Sequence, residues 1–129
     1  MSKSPLKVHE LNHVTLYPRD INKAIDFYEN ILELERIKEV NRDFPLVWFA
    51  LGKQQLHLAE DTMNRDKERH SHHFALEVDD VIEAKAYLEA KGVTINRGPV
   101  ERGDGALQVM ISDPDGYSIE LVSFPKTPF

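Results

Sequence analysis

One stretch of this chain is written twice. His13-Val-Thr-Leu-Tyr-Pro-Arg-Asp20 and His73-Phe-Ala-Leu-Glu-Val-Asp-Asp80 share His, Leu and Asp at a spacing of 60 residues. At the same spacing Ala24 meets Ala84, Phe27 meets Tyr87 and Glu29 meets Glu89. Farther on, Leu56-His57-Leu58 falls over Ile119-Glu120-Leu121 at a spacing of 63, so the second half carries an insertion of three residues, which we assign to the loop 97–105. A repeated unit of this size cannot bury its apolar face alone. Each of the two like modules must therefore be covered by another, from the same chain or from a second chain.

Each half reads the same way. Residues 8–17 alternate apolar and polar positions, as a half-buried strand does. Asp20 caps a helix with the apolar stripe Ile21, Ala24, Ile25, Tyr28 and Leu32. Segments 34–40, 46–51 and 54–59 then read as short strands, the last two joined through Gly52-Lys53. In the second half a strand spans 73–79, and Asp80 with Glu83 forms a capping box for a helix stopping at Gly92. Strands near 94–96, 107–112 and 117–122 follow, with Asp113-Pro-Asp-Gly116 as a turn. The charged, aperiodic residues 60–71 serve as linker. This predicts one α+β domain over residues 1–129, with tandem βαβββ modules at about 8–59 and 72–124. The helix aromatics Phe27, Tyr28 and Tyr87 are assigned to the core, as is Trp48, whose strand is apolar on both faces.

Composition narrows the function. A net charge of −6 without a dense basic cluster argues against nucleic acid or an anionic membrane as partner. With no cysteine, disulfides and thiolate metal sites are excluded. No apolar run resembles a signal peptide or approaches membrane-spanning length, so a soluble cytoplasmic protein is expected.

Strand parity singles out four side chains. If Val14, Leu16, Leu56 and Leu58 face the first helix, then His13 and His57 point to the opposite side of their sheet. The same holds for His73 and Glu120 against Phe74, Leu76, Ile119 and Leu121. Three imidazoles and a carboxylate suit one first-row divalent ion, and modules meeting face to face would bring them to one point. The predicted architecture is thus a pair of curved mixed sheets around a metal-containing cavity. Tyr17, Gln55, Glu77, Met110 and Ser118 share the ligand parity and are the expected cavity wall, with Glu77 a candidate base and Glu120 both ligand and catalytic carboxylate. His9, His70 and His72 lie at the chain start or in the linker and are left outside the site.

Asn12-His-Val-Thr-Leu, the Asp20 to Tyr28 helix, the His73 to Asp80 strand and Asp113-Pro-Asp-Gly-Tyr-Ser-Ile-Glu-Leu121 resemble the vicinal oxygen chelate superfamily of glyoxalases, fosfomycin-resistance proteins and extradiol dioxygenases. The resemblance spans about residues 11–122 and implies a metal-dependent lyase or transferase, since ligands in such families come from the first and last strands of each module. It implies one ion per site (zinc, nickel, manganese or iron), a small oxygenated electrophile as substrate, and a thiol co-substrate such as glutathione as an option. Glyoxalase-type members place Glu or Gln where this chain has His57, and thiol transferases of the fosfomycin type place Tyr where it has Met110. Alternatives are an iron(II) extradiol-type dioxygenase, which needs three open positions on iron, and a metal-free bleomycin-resistance-like binding protein. Single-chain, two-module members form dimers, so the resemblance implies a homodimer in which His13 and His57 of one subunit join His73 and Glu120 of the other.

Overall fold

Strands before and after residues 60–72 hydrogen-bond into two separate four-stranded sheets. The computed structural model describes residues 6, 9–41, 45–64 and 72–125. The first unit runs β1 (His13–Leu16), α1 (Ile21–Ile25) continuing as a π-helical turn (Asp26–Ile31), β2 (Arg36–Asn41), β3 (Pro45–Leu51) and β4 (Gln54–Ala59). The second runs β5 (His73–Glu77), α2 (Val81–Ala90), β6 (Ile95–Glu101), β7 (Leu107–Ser112) and β8 (Ser118–Ser123). Strand order is β1-β4-β3-β2 in one sheet and β5-β8-β7-β6 in the other. The pairs β1–β4 and β5–β8 are parallel, and all others are antiparallel. Each unit is βαβββ.

Register refines the repeat. Trp48 pairs with His57, and Met110 pairs with Glu120, so β3 and β7 stand 62 residues apart while β4 and β8 stand 63 apart. Two of the three extra residues thus enter before β7, where β6 carries two register shifts. The third lies in the β7–β8 turn, outside the loop 97–105 to which the whole insertion was assigned. Residues 97–101 prove to be strand rather than loop, and β1 begins only at His13. Residues 65–71 of the expected linker, including His70, fall outside the described residues.

The first helix departs from the expected 3.6-residue period. Asp20 caps it as predicted, accepting from the N–H groups of Asn22 and Lys23. From Asp26 onward the turn widens, and the N–H of Leu32 reaches the carbonyl of Phe27, five residues back. A wider turn lets the consecutive Phe27 and Tyr28 both be buried. The second helix stays regular, capped by Asp80. Its Tyr87 is 37% exposed rather than in the core, with its hydroxyl donating to the carbonyl of Ile31.

Ile21, Ala24, Phe27 and Tyr28 pack on Val47, Phe49, Leu56 and Leu58, while Val81 and Leu88 pack on Val109, Ile111, Ile119 and Leu121. These residues form one continuous cluster across both units. Burial of each large apolar side chain contributes roughly 1.5–3 kcal/mol, so neither unit is energetically separate. Polar contacts join the units at their margins. Tyr28 donates to Asp113 (2.8 Å), the N–H of Arg19 to Asp115 (2.9 Å), and the N–H of Tyr17 to the hydroxyl of Tyr117 (3.0 Å).

The predicted curved sheets around a metal-containing cavity are not what the chain builds. The sheets remain separate, with β1 and β5 as unjoined edge strands. Among the described residues no group of three or more His, Asp or Glu side chains is placed to hold a metal ion. The physical reason lies in the joining contacts, which run from the segment between β1 and α1, and from the first helix, to the β7–β8 turn. They do not turn the two ligand-bearing faces onto each other. Among the described residues no helix is long and apolar enough to cross a membrane.

Candidate functional site

The four expected ligands are divided into two pairs, one on each sheet. In the first, parallel pairing of β1 with β4 sets Thr15 opposite His57 and His13 opposite Gln55. The two imidazoles stack with ring centroids 4.1 Å apart and planes 17° apart. On the other side of His57 lies Trp48, its neighbour across β3–β4, at 4.1 Å and 6°. Trp48 is therefore half-buried in the site rather than a core residue, because it alternates with the buried Val47 and Phe49. The Asn12 side-chain oxygen lies 2.8 Å from His13 Nδ1, and the Gln55 oxygen 2.7 Å from His57 Nε2. With each amide oxygen accepting from the nitrogen it faces, His13 Nε2 and His57 Nδ1 keep their lone pairs. Burial, and then the nearby charge of His13, pull the His57 pKa below its ordinary value of 6.5. The neutral, metal-ligating form is thereby favoured.

In the second pair, His73 opens β5 and Glu120 lies on β8, opposite Ala75 on one side and Met110 on the other. His73 Nε2 stands 3.4 Å from Glu120 Oε1. Glu120 is buried, and its second oxygen accepts from Arg102 Nη1 at 3.1 Å. Arg102 also donates through Nη2 to Asp104 at 2.6 Å, and its guanidinium lies over the Phe124 ring at 5.6 Å. Hydrogen bonding to both acids raises the pKa of Arg102, and Arg102 holds Asp104 below the usual carboxylate value. Sequence reasoning missed this role of Arg102 and Asp104. Their alternation with glycines in Glu101-Arg-Gly-Asp-Gly105 marked a loop, but only the hairpin register shows that the loop reaches Glu120.

Of the expected cavity wall, Tyr17, Gln55, Glu77 and Ser118 line one open cavity of about 960 Å³, together with His72 and His73. The rest of its lining is largely apolar, including Val14, Leu34, Phe74 and Leu76. The cavity draws on β1 and β5 and so follows the junction of the two units. Met110, His13, His57 and Glu120 are not on it. Glu77 is exposed at the end of β5, His72 is exposed at the cavity, and His9 is exposed away from it.

The spacing of the second pair fits two positions of one coordination sphere, whereas the stacked rings of His13 and His57 carry their lone pairs in nearly parallel planes. Two ligands about 2.0–2.2 Å from a tetrahedral ion stand roughly 3.3–3.6 Å apart. The separation of His73 Nε2 from Glu120 Oε1 lies in that range. Within one chain the pairs do not combine into a larger set among the described residues.

Residues 10–121 match the model of the Glyoxalase/Bleomycin resistance protein/Dioxygenase superfamily. A lactoylglutathione lyase of Neisseria meningitidis serogroup A is 31% identical over an alignment 125 positions long that covers 87% of this chain and 88% of that protein. The metallothiol transferase FosB of Staphylococcus saprophyticus is 30% identical over 118 residues, 88% of this chain and 76% of that one. The crystal structure of a lactoylglutathione lyase from Agrobacterium tumefaciens superimposes with a TM-score of 0.70 at 25% identity, covering 88% of this chain and 92% of that chain. By matched span and by fold alike, this chain belongs to the glyoxalase/bleomycin resistance protein/dioxygenase superfamily.

Proposed function

We propose that the protein is a metal-dependent lyase or transferase acting on a small oxygenated electrophile, with its metal held between two copies of the chain. Likeness to catalytic members of the superfamily supports enzymatic activity of this general class. The observation that carries the metal reading is the division of donors into His13/His57 and His73/Glu120, at equivalent positions of the repeat. Each pair supplies two donors, so completing four takes the first pair of one copy and the second pair of the other. Bound there, a zinc, nickel, manganese or iron ion would supply Lewis acidity toward a substrate oxygen.

The chain's own residues supply the rest. Asn12 and Gln55 hold the imidazoles with their ligating nitrogens unprotonated, and Trp48 keeps the His57 ring in plane. Of the four donors His73 borders the cavity, so a substrate whose carbon skeleton lies on the apolar wall would reach the metal at that end, with Tyr17, Gln55 and Ser118 on the cavity lining. Glu33 and Glu77 are carboxylates on that wall, and Glu77, which shares the parity of the ligands, is the proposed base. A thiol co-substrate such as glutathione accords with the names of the relatives, a lactoylglutathione lyase and a metallothiol transferase.

Elemental analysis of purified protein, with turnover assays on hemithioacetals, on epoxides with added thiol and on catechols, tests this reading. Stoichiometric metal with turnover of either of the first two classes is the expected result. Catechol cleavage under iron(II) would replace it with dioxygenase chemistry, and a metal-free, inactive protein would leave a binding role for the cavity. Assembly is tested by mixing His13→Ala with His73→Ala chains. Sites shared between chains regain one intact set in each heterodimer, whereas sites within a chain regain none.

A further inference from the structure

The loop between β6 and β7 is built around one arginine. Gly103 and Gly105 adopt φ of 101° and 91°, which side-chain-bearing residues rarely take. These two residues let the N–H of Arg102 close onto the carbonyl of Ala106 at 2.8 Å. Asp104 is fixed in turn, one oxygen accepting from the N–H of Ala106 at 3.0 Å and the other from Arg102 at 2.6 Å. With Phe124 beneath its plane, the guanidinium is restrained on several sides, although its side chain stays 34% exposed. A planar fork so held loses little further entropy when it binds a carboxylate.

We infer that Arg102, steadied by Asp104, is a positioning residue for Glu120, fixing Oε2 so that Oε1 is presented toward His73 as a single-oxygen metal ligand. The inference rests on the reading of Glu120 as a ligand. Two observations separate it from simple neutralisation of a buried acid. First, the two carboxylate oxygens have different neighbours, Arg102 on one and His73 on the other, so the group is oriented as well as compensated. Second, Asp104 cancels the arginine charge. The Glu120–Arg102–Asp104 set therefore keeps one net negative charge, and a divalent cation arriving at Glu120 still meets an attractive field. An arginine present only to neutralise Glu120 would need no such counter-charge.

Zinc(II) titration calorimetry on the full chain tests this, with thermal unfolding of the same metal-free samples as a measure of folding. Arg102→Gln should weaken zinc binding by about ten- to hundred-fold, the usual cost of losing a group that orients a ligand. Asp104→Asn should weaken it in the same direction, by leaving the arginine charge uncancelled. Arg102→Lys should fail to restore affinity, because an ammonium is a point charge without the fork that spans both acids. Unchanged or increased affinity in Arg102→Gln, or full restoration by Arg102→Lys, would overturn the inference. Glu120→Gln serves as the separate control. Undiminished binding there would remove the ligand reading itself, and this inference with it.

Discussion

Replacing Tyr28 with Phe removes one hydroxyl from a fully buried position, and the cost should depend on pH. That hydroxyl donates to Asp113 Oδ2 at 2.8 Å, while Asp113 Oδ1 accepts from the N–H groups of Asp115 (2.9 Å) and Tyr117 (2.8 Å). Burial raises the Asp113 pKa above its usual 3.8, despite the opposing pull of these three hydrogen bonds. A folded-state pKa raised above the unfolded one means stability that is complete below the unfolded value and is lost as pH rises through the folded value. Where the carboxylate is ionised, Tyr28→Phe forfeits a hydrogen bond to a charged group, about 1.5–3 kcal/mol. Below the unfolded pKa, Asp113 is protonated and the same substitution forfeits a neutral bond, about 0.5–1.5 kcal/mol. Urea unfolding of both proteins across that range measures the difference. With an m-value of about 1–3 kcal/mol/M, the midpoint should fall by roughly 1 M at neutral pH and by less in acid. A penalty under about 0.5 kcal/mol at neutral pH, or one that does not shrink in acid, would refute a charged Asp113 as the partner of Tyr28.

Other outcomes follow from the same geometry. Trp48, the single tryptophan, stacks on His57, so its fluorescence should titrate with that imidazole and show a midpoint below 6.5. A midpoint at or above that value would mean the ring is not desolvated as described. Gly98→Ala should destabilise the chain by about 1–3 kcal/mol, since φ there is 95° and an added Cβ would collide with the backbone carbonyl of Gln108. Unchanged thermal unfolding would show that the β6–β7 contact is looser than drawn. Leu56→Ala, at a fully buried position beneath α1, should cost about 2–5 kcal/mol in denaturant unfolding without changing the m-value; a cost below that range would mean the site collapses to fill the gap.

Period and repetition gave the order of strands and helices, though not the π-helical turn or the strand at 97–101. Alternation placed Leu56 and Leu58 in the core and His57 between them, and the sixty-residue echo paired His13 with His73. What alternation cannot encode is how two sheets face each other. Whether the four ligands converge within one chain or between two was therefore undecided by sequence, and within the chain they form two strand-neighbour pairs. Trp48 was misassigned because its strand is apolar on both faces, and only pairing with His57 shows which face it takes. The π-helical turn was invisible for a related reason. A stripe drawn at 3.6 residues assumes the regular helix, and nothing local to Asp26–Ile31 announces that Tyr28 must reach an aspartate 85 residues away.

That single contact also breaks the symmetry of the duplication. Counting sixty residues on from Tyr28 leads to Leu88, a buried residue with no hydroxyl to give. The first unit in turn has only the tight Gly52-Lys53 turn where the second has Asp113-Pro-Asp-Gly116. Donor and acceptor have each been kept in one half and not in the other. A synthetic chain of two first units would bury the tyrosine hydroxyl without an acceptor, at a cost of about 1–3 kcal/mol. A chain of two second units would bury the aspartate turn facing leucine, an ionised carboxylate missing its partner. The two halves have become lock and key to each other, so that neither duplicate can now stand in for its twin.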